Sequence, residues 1–306
     1  MGELFSLQQI VNGLQLGSIY ALIALGYTMV YGIVRLINFA HGDFYMIGAY
    51  AAYAAFFLFN AYIAPGNVLV FVVLIVAMLV AAAVAMLSNR YAYKPLRYKP
   101  KLSSLVTAIG VSMFIEYFFS AFPPIGPSPR GFPEVLPKTM MEMSIFGAKA
   151  QISNYVIIDL AVAAVLMIGL TLLVQKSPLG RAMRAVSQDK DAAKLMGINV
   201  EGIISFTFLI GGAFAGAAGL LAGLTYPRIM PYMGILPGLK AFISAVLGGI
   251  GNIPGAMLGA YIMGIAETTA NAYNSLLGEG IAFVILIIVL LVRPTGLLGE
   301  KTADKI

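Results

Sequence analysis

The chain has 306 residues, 60% of them hydrophobic and 10% charged, with a net charge of +6 and a mean hydropathy of +0.91. A soluble domain carries about 25% charged residues, so this composition excludes a soluble enzyme or binding module and defines a polytopic membrane protein. With no cysteine and one histidine, His41, the chain has no disulfide, no thiolate chemistry and no multi-His metal site of its own.

The start carries Glu3 and no basic n-region, which argues against a cleaved signal peptide. Met1-Gly2-Glu3-Leu4-Phe5-Ser6 fits a myristoylation pattern that adds nothing to a chain with many spans. A helical span needs about 20 apolar residues. The first runs from Leu7 to Ile33, and the second, Leu36 to Phe59, is interrupted near its start by Asn38, His41, Gly42 and Asp43. A third covers Val68 to Leu87. Arg90 to Lys101 then holds five basic and no acidic residues, the strongest cytoplasmic signal in the chain. A span from Leu102 to Phe122 leads to the far side. There Pro123, Pro124, Pro127, Pro129 and Pro133 disfavour helix in the first half of an external loop that reaches Ser153.

A span from Tyr155 to Val174 returns to a polar segment, Ser177 to Gly197, flanked and punctuated by Lys176, Arg181, Arg184, Lys190 and Lys194. This segment falls on the same side as the first basic loop, so the two assignments agree. Ser177 suits a helix N-cap with Pro178 at the first position. Leu179, Met183 and Val186 form one apolar stripe, and Gly197 suits a left-handed stop. The expectation is a helical hairpin outside the bilayer. Ile203 to Leu224 then leads out to Tyr226–Pro231. The basic residues Arg293, Lys301 and Lys305 place the end inside. The path closes if Pro237–Leu247 enters only partway and turns at Gly248–Asn252, with Pro254–Thr269 going out and Ile281–Val292 coming in. Irregular backbone at membrane depth must line a pathway or a buried interface. The Asn38–Gly42 break is open to two readings: a full crossing puts the N-terminus outside, a re-entrant loop puts it inside. The expected fold is therefore all-α and polytopic. It is a single transmembrane domain over 1–306 with about eight transmembrane segments, one or two broken or re-entrant helices, and a cytoplasmic segment at 176–200.

Gly212, Gly216, Gly219 and Gly223 form a small-residue face that serves either internal packing or a subunit interface. Gly249-Ile250-Gly251-Asn252-Ile253-Pro254-Gly255 lacks the flanking pattern of a dinucleotide site, and no P-loop occurs, so the chain does not hydrolyse ATP by that route. The intramembrane polar residues are His41, Asp43, Glu116, Asp159, Lys240 and Glu267, each of which belongs in a bundle interior or cavity. His41 and Asp43 form either a proton relay or a structural hydrogen-bonded pair, although two residues apart on a helix they face different ways. Glu116 and Asp159 are expected near headgroups. Glu267, beside Thr268, Thr269 and Asn271, is expected to line an external vestibule. No catalytic constellation emerges, and no basic helix with interleaved aromatics points to nucleic acid.

Ser177-Pro178-Leu179-Gly180-Arg181, followed by Asp191-Ala192-Ala193 and Gly197, resembles the cytoplasmic EAA…G coupling segment of ABC import permeases, with Asp191 where that motif has Glu. The run Gly17–Gly32, the run Ile37–Asp43 and the run Gly248–Ala256 are similar to branched-chain amino acid permeases of the LivH type. The resemblance implies a multi-pass permease subunit of the bacterial inner membrane, moving branched-chain amino acids. It implies a second related permease, two cytoplasmic ATPases that bind the ATP and Mg, a periplasmic binding protein, and no cofactor on this chain. The coupling residues are then Arg181, Arg184, Asp191, Ala192, Ala193 and Gly197. The pathway residues, chosen from the breaks and the buried polar groups, are Asn38, His41, Asp43, Gly249, Gly251, Asn252 and Glu267. The competing reading is an ion-coupled transporter or channel for small polar solutes, with His41, Asp43 and Glu267 as proton or sodium sites.

Overall fold

The computed structural model describes residues 7–34, 37–97, 99–145 and 148–299. The Met1–Ser6 pattern, Leu36, Lys301 and Lys305 lie outside them. In chain order the elements are α1 (Leu7–Val34), α2 (His41–Phe59), α3 (Asn67–Ser88), α4 (Lys101–Ala121), β1 (Arg130–Gly131), β2 (Met140–Ile145), β3 (Ala148–Ser153), α5 (Asn154–Lys176), α6 (Pro178–Gln188), α7 (Lys190–Leu195), α8 (Val200–Thr225), β4 (Arg228–Ile229), α9 (Ile235–Gly248), α10 (Ile253–Tyr273) and α11 (Ser275–Val292). Among the described residues seven helices are long and apolar enough to cross a membrane. Two two-stranded antiparallel sheets, β1 with β4 and β2 with β3, are added to an otherwise helical chain.

The middle of α1 is apolar on every side and is buried on every side, which makes it the axis of the bundle. It packs along α10, α8, α9 and α5. Its far end is tied to the β2–β3 hairpin, where Gln8 Nε2 donates to the Gln151 carbonyl at 3.0 Å. Its other end meets the polar segment, where Lys190 Nζ donates to the Val34 carbonyl at 3.2 Å. So α1 runs from the far side to the side of α6 and α7. After it the chain turns back, and α2 starts with His41 against Gly26 of α1. It ends on the far side, where the Gly66 amide reaches the Val135 carbonyl. The Asn38–Gly42 break is therefore the start of a full crossing, and Leu7 stands opposite the polar segment.

The glycine face of α8 is internal. Gly216 lies against Ala77 and Ala81 of α3 and Gly48 of α2, and Gly219 against Tyr45 and Ala49. A side chain at Gly216 would land on the Ala77 carbonyl, so the three helix backbones meet where no Cβ intervenes. On the far side β1 pairs with β4 in the register Arg130↔Ile229 and Gly131↔Arg228, joining the two loops assigned to that side.

Two expectations about helix ends need correction. The basic loop after α3 is not wholly irregular: a π turn at Asn89–Tyr93 and a 3-10 turn at Lys94–Leu96 continue the helix. α11 starts at Ser275, well before Ile281, because Asn274 Oδ1 accepts from the Leu276 amide at 2.9 Å and caps it. A third correction concerns the turn expected partway into the membrane. α9 runs through to the inner end of the bundle, and Gly248–Asn252 sits there against the residues that follow α11. The Leu297 and Leu298 amides donate to the Leu247 and Gly248 carbonyls at 2.8 and 3.0 Å. The irregular backbone at depth is instead in the stretches leading into α2 and α9, which meet where Gly234 packs on Gly42.

Candidate functional site

The polar segment folds as two short helices. Ser177 Oγ accepts from the Gly180 amide at 2.9 Å, with Pro178 at the first helical position. Met183 and Val186 are buried against the inner ends of α1, α5 and α8. Asp189 breaks the segment and caps α7, its Oδ1 accepting from the Asp191 and Ala192 amides at 2.9 and 3.0 Å. Gly197 closes α7 at φ +81°. The Gly197 amide donates to Lys194 and the Ile198 amide to Ala193, a Schellman stop. Of the six candidate coupling residues, Ala193 is buried in this joint, whereas Arg181, Arg184, Asp191, Ala192 and Gly197 are exposed. Arg184 donates to the Val174 carbonyl at the end of α5. Leu195 and Met196, 88% and 82% exposed, make an apolar tip that pattern reading passed over.

The candidate pathway residues divide among five places. Asn38 is buried, and its Oδ1 accepts from Tyr93 Oη at 2.6 Å, which ties the lead-in of α2 to the turn after α3. His41 is wedged between Gly26 and Gly211, its ring 4.6 Å from that of Tyr27. Asp43 points away from it, toward Ser112 and Glu116 of α4. No direct relay joins His41 to Asp43. Gly249 and Gly251 take φ +103° and +98°, values that favour glycine. Asn252 Oδ1 caps α10 through the Gly255 amide at 2.9 Å, and its Nδ2 donates to the Leu298 carbonyl at 2.9 Å. With Tyr31, Gly32, Arg184 and Gln188, Gly251 and Asn252 line a cavity of about 670 Å³ at the inner mouth, while Gly249 packs against Thr295 and Gly299.

Glu267 does not line a vestibule. It is buried, with Oε1 2.7 Å from Lys240 Nζ and Oε2 accepting from Tyr20 Oη at 2.9 Å. Its charge is answered inside the bundle, because an unpaired carboxylate there costs several kcal/mol, on the order of 3–5. Asp159 stands near the far-side helix ends, beside the last residue of α8, but is fully buried and faces the bundle, with Oδ2 accepting from Gln15 and Thr225 at 2.8 and 2.9 Å. His41, Asp43 and Glu267 thus have three separate sets of neighbours and do not converge on one ion.

Glu116 is a third residue that sequence reasoning misplaced. It is buried, and with Asp43, Ser112, Tyr27, Phe39, Ile109, Leu239 and Phe242 it surrounds a cavity of about 270 Å³ between α1, α2, α4 and α9. The Ser112–Glu116 spacing of four residues puts both on one face of α4, a signal visible in the sequence. The backbones of Gly42, Gly234 and Gly238 close one side. The cavity therefore lies where two helices, α2 and α9, begin inside the bundle.

A many-helix bundle with two helices begun at depth, a cavity where they meet and a polar foot beneath is the build of a solute permease. The chain matches the family described as branched-chain amino acid transport system / permease component over residues 9–290, and it belongs to that family. It is 42% identical to the high-affinity branched-chain amino acid transport system permease protein LivH of Escherichia coli, over 99% of this chain and 98% of that one. It is 43% identical to the corresponding protein BraD of Pseudomonas aeruginosa, covering 98% of each. The permease protein LivM of Escherichia coli is 28% identical over 92% of this chain and 68% of its own length, so this chain is also similar to a second kind of permease in the same named system.

Proposed function

We propose that the chain is one permease subunit of an ATP-driven importer that moves branched-chain, aliphatic amino acids across the bacterial inner membrane. Its partners are a second, related permease, two cytoplasmic ATPases that hold ATP and Mg, and a periplasmic binding protein. One observation carries this reading: a capped, rigid foot, anchored to α1, α5 and α8 by its buried face, presents an exposed charged edge and a bare Leu195–Met196 tip away from the bundle. Apolar side chains bared at a helix end fit a groove on a partner. Motion of the ATPases moves the foot, and packed helices carry it to the far side. Relatives named for branched-chain amino acid transport support the cargo class.

The test replaces Asp191→Lys and Gly197→Val. Asp191 sits in the first turn of α7, where the helix dipole favours a negative charge. Gly197 has a φ that a β-branched residue rarely adopts. Both variants are expected to reach the membrane and to lose ATP-coupled uptake. Normal uptake in both removes the coupling assignment. Uptake by the chain alone under an ion gradient, with no ATPase, supports the secondary-transporter reading instead.

A further inference from the structure

The cavity between α2, α4 and α9 has a chemistry that its own residues leave unbalanced. Asp43 is 2% exposed and Glu116 7% exposed, and they stand side by side on its wall. Two carboxylates in a space shielded from water repel each other strongly. Asp43 Oδ2 has no hydrogen-bond partner. Asp43 and Glu116 hydrogen-bond to each other, which requires a proton between them. Among the described residues no Lys, Arg or His lines this cavity, so a cation that displaces that proton has to arrive with a ligand. A few ångströms away the backbone offers the opposite charge. α2 and α9 both start at the cavity, through Gly42 and Gly234–Gly238, and no side chain caps the first turn of either. His41, Asp43, Ile235 and Gly238 donate their amides to the carbonyls of Asn38, Ala40, Tyr232 and Gly234, which leaves the Gly42 and Leu236 amides and the helix dipoles to favour an anion there. The remaining wall is apolar: Tyr27, Ile109, Leu239 and Phe242.

We propose that this cavity holds the cargo during its passage. The Asp43–Glu116 pair receives the α-ammonium, the starts of α2 and α9 receive the α-carboxylate, and the apolar wall receives an aliphatic side chain. The inference rests on the importer reading and adds to it a place and an orientation for a zwitterion. The volume of about 270 Å³ sits near the lower end of the roughly 300–1,000 Å³ usual for small-molecule sites, which suits a single amino acid and not a peptide. A binding protein alone need not set selectivity, because a cargo without an ammonium group leaves the carboxylate pair uncompensated.

The test uses the full importer, with both permeases, the ATPases and the binding protein, in liposomes. D43N/E116Q keeps shape and removes charge. Leucine uptake is expected to fall by about tenfold to a hundredfold, the loss of a charge-assisted contact, while the amount of assembled importer and its thermal stability stay at the wild-type level. Unchanged uptake overturns the assignment, and so does a loss of assembly or stability in step with uptake, which marks a structural role. A second measurement does not depend on that variant. S112C places the chain's only thiol on the cavity wall, and leucine is expected to slow its modification by a small thiol reagent, whereas 4-methylpentanoate, which lacks the ammonium, is not. Equal protection by both, protection by sodium ion alone, or none overturns the proposal. A wild-type importer that moves no amino acid overturns the parent reading instead, so the two failures are distinguishable.

Discussion

Replacing Glu267 by leucine strands a lysine. Lys240 and Glu267 have side chains only 7% and 9% exposed, with their charged atoms 2.7 Å apart. At that separation the Coulomb attraction is about 6 kcal/mol for an effective dielectric constant of about 20. Desolvation of both groups offsets most of it, so the pair contributes little net stability, yet removing one partner costs about 3–5 kcal/mol. E267L also deprives Tyr20 Oη of its acceptor, worth about 1–3 kcal/mol more. K240M leaves that hydrogen bond in place and should cost less than E267L. The double variant K240M/E267L leaves no buried charge, and most of the loss should return, with the Tyr20 hydroxyl as the residual defect. The assay is equilibrium unfolding in mixed micelles by denaturing detergent, run on wild type, both single variants and the double. An interaction energy of about 6–10 kcal/mol, the two stranding costs together, is the upper expectation from the cycle. Additive losses would refute the idea that the two charges neutralise each other, and a wild-type-like E267L would refute the burial itself.

Gly216→Leu should prevent the chain from folding by itself, because the new side chain meets the Ala77 carbonyl and Gly48 within the same subunit. A monodisperse, normally folded G216L that fails only to join its partner permease would reassign this face to a subunit interface. Asn252→Ala removes both the cap of α10 and the bond to the Leu298 carbonyl. The cost is about 1 kcal/mol for the cap, and hydrogen exchange should quicken at Gly255 and at the Leu297 and Leu298 amides, with unchanged exchange there counting against the closure of the inner mouth.

The spans were legible because lipid enforces length and apolarity, and the foot was legible because Ser177, Pro178 and Gly197 each serve one local need. Local rules also located the Asn38–Gly42 break and the Gly248–Asn252 turn, but not the irregular stretch before α9. What they did not supply was partnership across the chain. Asp43 finds Glu116 only after α2 and α4 have packed, and nothing near Glu116 distinguishes a cavity wall from a headgroup contact except Ser112 four residues before it. Lys240 and Glu267 were both visible as costly charges of opposite sign, and pairing them required only the inference that lipid leaves each no other remedy. The depth of the Gly248–Asn252 turn was misjudged for a different reason. α9 is short because irregular chain precedes it, whereas its length alone reads as a helix that stops halfway.

The β1–β4 clasp has a bearing on biosynthesis. Arg130–Gly131 leaves the ribosome long before Arg228–Ile229, its partner, and at about 5–20 residues per second the wait is on the order of 5–20 s. Throughout that interval the nascent far-side loop carries an unmatched strand edge, and α5 and α8 must be threaded before it closes. The clasp is thus a late seal on the newly made protein, and a chain halted before Tyr226 would expose that edge to whatever else is being secreted nearby.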